Sequence, residues 1–232
     1  MTKNKKIILS ISSVLLVLIL YGWFFGVQTL CLIGLRFVDR AFLDAVPQPL
    51  DLNLSSPAVT TLEASNCSFS VPWTNCVQTD MSGDSAMWTC ADSQVYLIYH
   101  NSKEMLEPAV DEERLAELHG VMGYAFKSNV FFATSADLSF FDSREDAAKK
   151  NYLLICKMIS SSGPLTDVYL FEHRDMKGFQ EGAFSENSMV SLSVFDQEDW
   201  EHTLIVAVPS ESELSITQAD INTITTTFSV EP

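Results

Sequence analysis

The sequence predicts an α+β fold: an N-terminal transmembrane helix, then one domain with an antiparallel sheet packed by helices. Three observations carry that expectation. Ile7–Leu35 runs 29 residues without a charged side chain. The second half of the chain holds short apolar or alternating runs separated by polar turns, the pattern of strands. Between and after these runs lie segments with acidic first turns and apolar residues three or four apart, the pattern of helices.

In chain order, residues 1–6 (MTKNKK) read as a cytoplasmic tail whose basic residues are Lys3, Lys5 and Lys6. Residues 7–27 read as the transmembrane helix, because about 20 apolar residues at ~1.5 Å rise cross a ~30 Å hydrocarbon core. Tyr21 and Trp23 stand near its far end, where amphipathic rings favour the interface. A cleaved signal peptide would have a shorter apolar region and a small-residue cleavage site. Leu30 immediately before Cys31 fits a lipoprotein signal poorly. The three lysines ahead of the span place the N-terminus in the cytoplasm and the rest outside, an inner (cytoplasmic) membrane, single-pass protein with a periplasmic or extracellular domain. Residues 28–60 read as a juxtamembrane segment, apolar from Leu30 to Leu43 like an amphipathic collar, followed by a tether marked by Pro47, Pro49 and Pro57.

Residues 61–232 form the expected domain. Ser68–Val71 alternates, Val95–Tyr99 and Val168–Phe171 are apolar on both sides, Met189–Phe195 alternates again, and Thr203–Val208 is two-sided and stops at Pro209. Lys177-Gly178, Ser185–Asn187 and Asp196–Asp199 read as turns, a spacing that suits an antiparallel meander. Three helices are expected. Val110–His119 carries Asp111, Glu112 and Glu113 in its first turn and Gly120 past its end. Ser143–Ser160 opens with Ser143-x-x-Asp146 and shows a stripe of Ala148, Tyr152, Ile155 and Ile159 directed at the sheet. Thr217–Phe228 starts on a capping Thr217 and carries Ile221, Ile224 and Phe228 on one side, despite a threonine run of low helix propensity.

Charge narrows the function classes. Lys plus Arg number 14 against 30 Asp plus Glu, a net charge of −16, and the residues after 40 hold 29 acids and 9 bases. Nucleic acid is excluded as a partner, since phosphate contacts need clustered Lys and Arg. With 47% hydrophobic residues the chain has material for a core.

The closing stretches 166–182 (TDVYLFEHRDMKGFQEG), 189–209 (MVSLSVFDQEDWEHTLIVAVP) and 216–228 (ITQADINTITTTF) resemble the C-terminal half of PsbP-like domains, and FSVP at Phe69–Pro72 is similar to their opening strand. The resemblance implies an antiparallel meander closed by a helix. It also implies a mostly non-enzymatic domain that binds or stabilises larger assemblies. It transfers no site residue.

Of five cysteines, Cys31 lies in or beside the apolar run, and Cys67, Cys76, Cys90 and Cys156 follow. Four cysteines allow three pairings. The favoured disulfide is Cys76–Cys90, with Cys67 and Cys156 as the other candidates. A bridge closing a 14-residue loop contributes ~3 kcal/mol in the chain-entropy model. Cys156, within Leu-Leu-Ile-Cys-Lys-Met-Ile, reads equally as a small buried apolar residue.

No catalytic, cofactor-binding or metal residue is nominated. The four histidines, His100, His119, His173 and His202, show no ligand spacing, and His119 with the scattered methionines Met81, Met87, Met105 and Met122 makes only a weak soft-metal pattern. Glu172–Asp175 reads as a solvated turn. The nucleophile elbow, the Walker loop and the dinucleotide fingerprint are absent, and Asn53 and Asn66 stand in glycosylation sequons. The sequence thus predicts a membrane-anchored extracytoplasmic module without a cofactor, its partners the lipid bilayer through residues 7–27 and an unknown envelope protein. The alternatives are a small-ligand or metal-binding module and an enzyme with an unrecognised site.

Overall fold

The computed structural model describes residues 21, 22, 26, 34, 43–64, 66–82, 85–139, 142–160, 167–182, 189–210, 212 and 214–230. The chain divides into two units, residues 47–131 with 165–232 and residues 1–46 with 132–164.

The larger unit is built on strands β1 (Gln48–Pro49), β2 (Thr60–Ala64), β3 (Cys67–Val71), β4 (Val77–Ser82), β5 (Ser85–Cys90), β6 (Val95–Asn101), β7 (Val168–His173), β8 (Met176–Glu181), β9 (Met189–Phe195), β10 (Glu201–Ala207) and β11 (Ser229–Val230). Eight strands form one sheet in the order β1-β7-β8-β9-β10-β6-β5-β4, and three form a second in the order β11-β3-β2. Neighbours are antiparallel except β1 and β7, which run parallel. The large sheet is therefore mixed rather than purely antiparallel. The parallel pair comes from the Pro-rich segment expected as a tether: Gln48 and Pro49 align with Tyr169 and Leu170, and the Leu50 amide donates to the Leu170 carbonyl.

Side-chain alternation explains the core. In β6, Val95, Leu97 and Tyr99 are buried while Tyr96, Ile98 and His100 are half-buried, and β10 buries His202, Leu204 and Val206 in the same way. These faces join Phe69 and Val71 of β3, Trp88 of β5, Leu192 and Val194 of β9 and the helix at the C-terminal end in one cluster.

The helices are α1 (Ser102–Leu106), α2 (Glu112–Met122), α3 (Tyr124–Phe132), α4 (Arg144–Ser160) and α5 (Gln218–Thr227). In α5, Ile221 and Ile224 are fully buried among threonines. The hydroxyls of Thr223, Thr225, Thr226 and Thr227 each donate to the carbonyl four residues back, so the Thr-rich helix satisfies its own polar groups inside the core. Asn222 of α5 donates to the carbonyls of Asp51 and Leu54 at 2.8 and 2.6 Å and fastens the Pro-rich segment. On the opposite side of the large sheet, Tyr124 and Phe131 of α3 pack on Phe179 and Phe195.

In the smaller unit, Leu154 of α4 packs with Leu43, Ala133 and Leu138. The buried face of α4 is Ala147, Leu154 and Lys157, whereas Tyr152, Ile155 and Ile159 are exposed. The expected stripe is thus on the wrong side. The physical reason is Lys157, whose ammonium donates to the carbonyls of Leu43, Ala45 and Ala133 at 3.0, 2.6 and 2.8 Å, so a lysine occupies the interior where an apolar residue was expected. Burial pushes its pKa below the ordinary lysine value, with Asp44 and Asp137 opposing.

Among the described residues no helix is long and apolar enough to cross a membrane. The longest, α4, is 17 residues and carries Arg144, Glu145, Asp146, Lys149, Lys150 and Lys157. Apart from Tyr21, Gly22 and Gly26, the span expected over 7–27 lies outside the described residues, as do the tail at 1–6 and Cys31. The structure supports an α+β domain with a mixed sheet. The expected anchor has only apolar composition behind it, and the lipid partner, the single-pass inner-membrane placement with a cytoplasmic N-terminus, and the periplasmic or extracellular domain rest on that anchor; all are withdrawn.

Candidate functional site

At one end of the larger unit three connections converge: the two-residue turn Arg174-Asp175 between β7 and β8, the turn from Asp196 to Trp200 between β9 and β10, and the junction of β6 with α1. With Asn66 and β11 they enclose a cleft of about 480 Å³. The sequence shapes each part locally. Asn101 ends β6 and caps α1, its Oδ1 accepting the amides of Lys103 and Glu104 at 3.0 and 3.4 Å. Its Nδ2 donates to Asn66 Oδ1 at 3.2 Å. Asp196 fixes the next turn by accepting the Trp200 amide at 2.8 Å. Phe228, which ends α5, forms apolar floor with Met176 and Val230 and stacks on Phe69 at 6.0 Å.

The charged groups divide into committed and uncommitted ones. Lys103 and Glu198 pair at 2.9 Å. Asp196 Oδ2 lies 3.3 Å from His202 Nε2. Burial opposes ionisation of Asp196, but the His202 bond and the amides of Trp200 and Glu198 outweigh it and hold the carboxyl below the usual aspartate range. Asp175 has a long contact, accepting from Gln197 Nε2 at 3.5 Å. Arg174 has no hydrogen-bond or ion-pair partner among the described residues, and its φ is +53°.

Beneath the floor runs a buried polar chain. His202 is wholly buried, with Nδ1 2.8 Å from the Tyr99 hydroxyl, and the buried Cys67 thiol interacts electrostatically with Tyr99. Burial pushes the Cys67 thiol up to about 11 despite its interaction with Tyr99, and pushes the Tyr99 hydroxyl higher as well. One donor order satisfies both bonds of the imidazole ring: the Tyr99 hydroxyl donates to Nδ1, and Nε2–H to the Asp196 carboxylate. Cys67 is thus a protonated, sheltered thiol and a poor nucleophile.

A second polar cluster lies under α3. Lys127 donates to Ser193 Oγ at 2.6 Å, pairs with Glu201 and stands 3.9 Å from Glu181. Burial raises the Glu181 pKa, Lys127 lowers it and Glu201 adds to the rise. The groups of this cluster serve each other.

Cys76 and Cys90 are joined, their Sγ atoms 2.14 Å and Cα atoms 4.0 Å apart. Cys67 and Cys156 are free thiols, the first buried and the second half-buried. Among the described residues no group of three or more His, Cys, Asp and Glu is placed to hold a metal. Glu172–Asp175 ends β7 and supplies an exposed hairpin turn, as the solvated-turn reading expects, and Arg174 and Asp175 also line the cleft. Asn66, Asn101, Asp196 and His202 were missed as site residues. Asn101 before Ser102-Lys-Glu carries a legible cap signal, but nothing in the spacing links it to Asn66 or to the turns. Comparisons of the chain with protein-family models, curated proteins and solved structures find no match.

Proposed function

We propose that the chain is a binding domain, not an enzyme, and that the cleft at the turn end of its sheet receives a small organic ligand. The observation that carries this reading is the cleft itself: about 480 Å³, with an apolar floor and converging amide and charged groups at its rim. The committed state of Lys103 and Asp196 supports binding over chemistry. Lys103 is tied to Glu198, and Asp196 to His202 and the Trp200 amide. The PsbP-like resemblance of the closing stretches, which implies a mostly non-enzymatic domain that binds or stabilises larger assemblies, supports the non-enzymatic part of this reading.

The test is a fragment screen followed by amide NMR shift mapping on the isotope-labelled full chain. The expected result is saturable hits whose shifts cluster on Asn101, Met176, Gln197 and Phe228. Hits that map only to other surfaces, or a screen without saturable hits, overturn the reading.

A further inference from the structure

We infer that the ligand of this cleft is an α-amino acid with an apolar side chain, gripped as a zwitterion by the adjacent Arg174 and Asp175. The inference rests on the binding-domain reading above and deepens it. The other ionised groups of the lining already have close partners, Glu198 for Lys103 and both His202 and the Trp200 amide for Asp196. That leaves Arg174, without a partner among the described residues, and Asp175, held by one contact of 3.5 Å. A guanidinium recognises a carboxylate with two parallel N–H···O bonds, and a carboxylate accepts from an ammonium. Carried by consecutive residues of one hairpin turn, these two charges match a ligand whose carboxylate and ammonium sit on one carbon. The third substituent on that carbon would then meet Phe228, Met176 and Val230.

The backbone supplies an independent argument. Arg174 has φ +53°, in the region that glycine occupies freely and a β-carbon disfavours. A two-residue hairpin turn is where glycine is ordinarily found. The position instead carries an exposed long cation that lines the cleft, and strain retained at such a position is a pointer to function.

The experiment is calorimetry on the full chain with three probes: L-leucine, L-leucinamide, which lacks the carboxylate, and N-acetyl-L-leucine, which lacks the ammonium. L-Leucine is expected to bind at one site, and each blocked analogue to bind about tenfold or more weakly, the loss of one charge-assisted bond. The R174G variant is expected to lose L-leucine while keeping or gaining thermal stability, since glycine suits that backbone; a merely structural Arg174 would not separate the two readouts. D175N is expected to weaken L-leucine and leave L-leucinamide unaided. Equal binding of L-leucine and L-leucinamide, or undiminished binding by R174G, overturns the zwitterion inference while saturable fragments in the cleft would leave the binding-domain reading standing. No L-leucine binding up to about 10 mM, a free energy weaker than ~3 kcal/mol, also overturns the inference; failure of the fragment screen as well overturns both.

Discussion

Individual side chains in this domain show how burial sets protonation. Glu181 is buried, and its carboxyl titrates above the ordinary glutamate value because burial outweighs the attraction of Lys127 at 3.9 Å. An acid with a raised folded pKa keeps its proton to higher pH in the native chain than in the unfolded one. Its contribution is therefore fully present below the unfolded value, near 4.3, and is lost as pH rises through the raised folded value. Glu181→Gln removes that loss while Lys127 keeps Glu201 and Ser193 as partners. Calorimetric melts should show little difference between variant and parent at pH 4. The difference should widen as pH rises, to a gain in Tm of about 2–4 °C at pH 7, corresponding to ~1 kcal/mol in a chain of this size. A variant that melts below the parent at pH 7 would mean that the Lys127–Glu181 attraction outweighs burial. The sequence could not disclose this group, because Lys127, Glu181 and Glu201 are far apart in the chain and their residue types are common.

At the scale of elements, local pattern was informative where one face of a strand packs and misleading where polar partners decide. Met189–Phe195 alternates and forms β9 with those bounds. Lys177-Gly178 carries the composition of a turn, yet Gly178 lies within β8, buried opposite Phe171 and Val194. A β-carbon there would run into the Ser193 carbonyl and the Phe171 ring, so the glycine is a close-approach position inside the sheet. Gly178→Ala is therefore expected to destabilise by about 1–3 kcal/mol, the range for overpacking, read as a lower denaturant midpoint with an unchanged slope. A neutral result would mean that β8 shifts away at no cost. Gly120 shows the converse error: it reads as a helix end but lies inside α2, which Gly123 closes. In α4 the apolar stripe pointed outward because three backbone carbonyls accept from Lys157, an arrangement invisible to periodicity. The segment between Cys67 and Cys90 looked poor in strands, although Ser85–Cys90 alternates and is buried at every second residue. Its polar half-buried positions and short length hid the period.

For the whole molecule, the α+β class was legible from the sequence of periods. Strands β7 to β10 follow one another as antiparallel neighbours, but of the expected turns Lys177-Gly178 lies inside β8, Ser185–Asn187 lies outside the described residues, and Asp196–Asp199 alone joins two strands. The mixed sheet was not legible, because its single parallel pair is made by a two-residue strand in a Pro-rich segment. The cleft was not legible either, since it gathers Asn66, Asn101, Arg174 and Asp196 from four separate connections. Among the described residues the large sheet ends at β4, which pairs with β5 and is bulged between Gln78 and Asp80. Bulges and short strands blunt an edge but also weaken it. The Cys76–Cys90 bridge ties the start of this edge strand to the end of β5, with a separation of 14 residues. Closing a loop of that length stabilises by ~3 kcal/mol in the chain-entropy model, and the effect falls on the pair that the rest of the sheet supports least. Replacing both cysteines by serine should therefore act locally before it acts globally. Hydrogen exchange on the full chain is expected to lose amide protection across β4 and in the outer half of β5, while β9 and β10, flanked by strands on both sides, keep theirs at 25 °C. The global Tm should fall by less than about 6–12 °C, the fall that a global loss of ~3 kcal/mol implies for a chain of this size. Uniform loss of protection across all strands would instead show that the edge hairpin is part of the cooperative unit, and that the bridge holds the whole sheet rather than its margin.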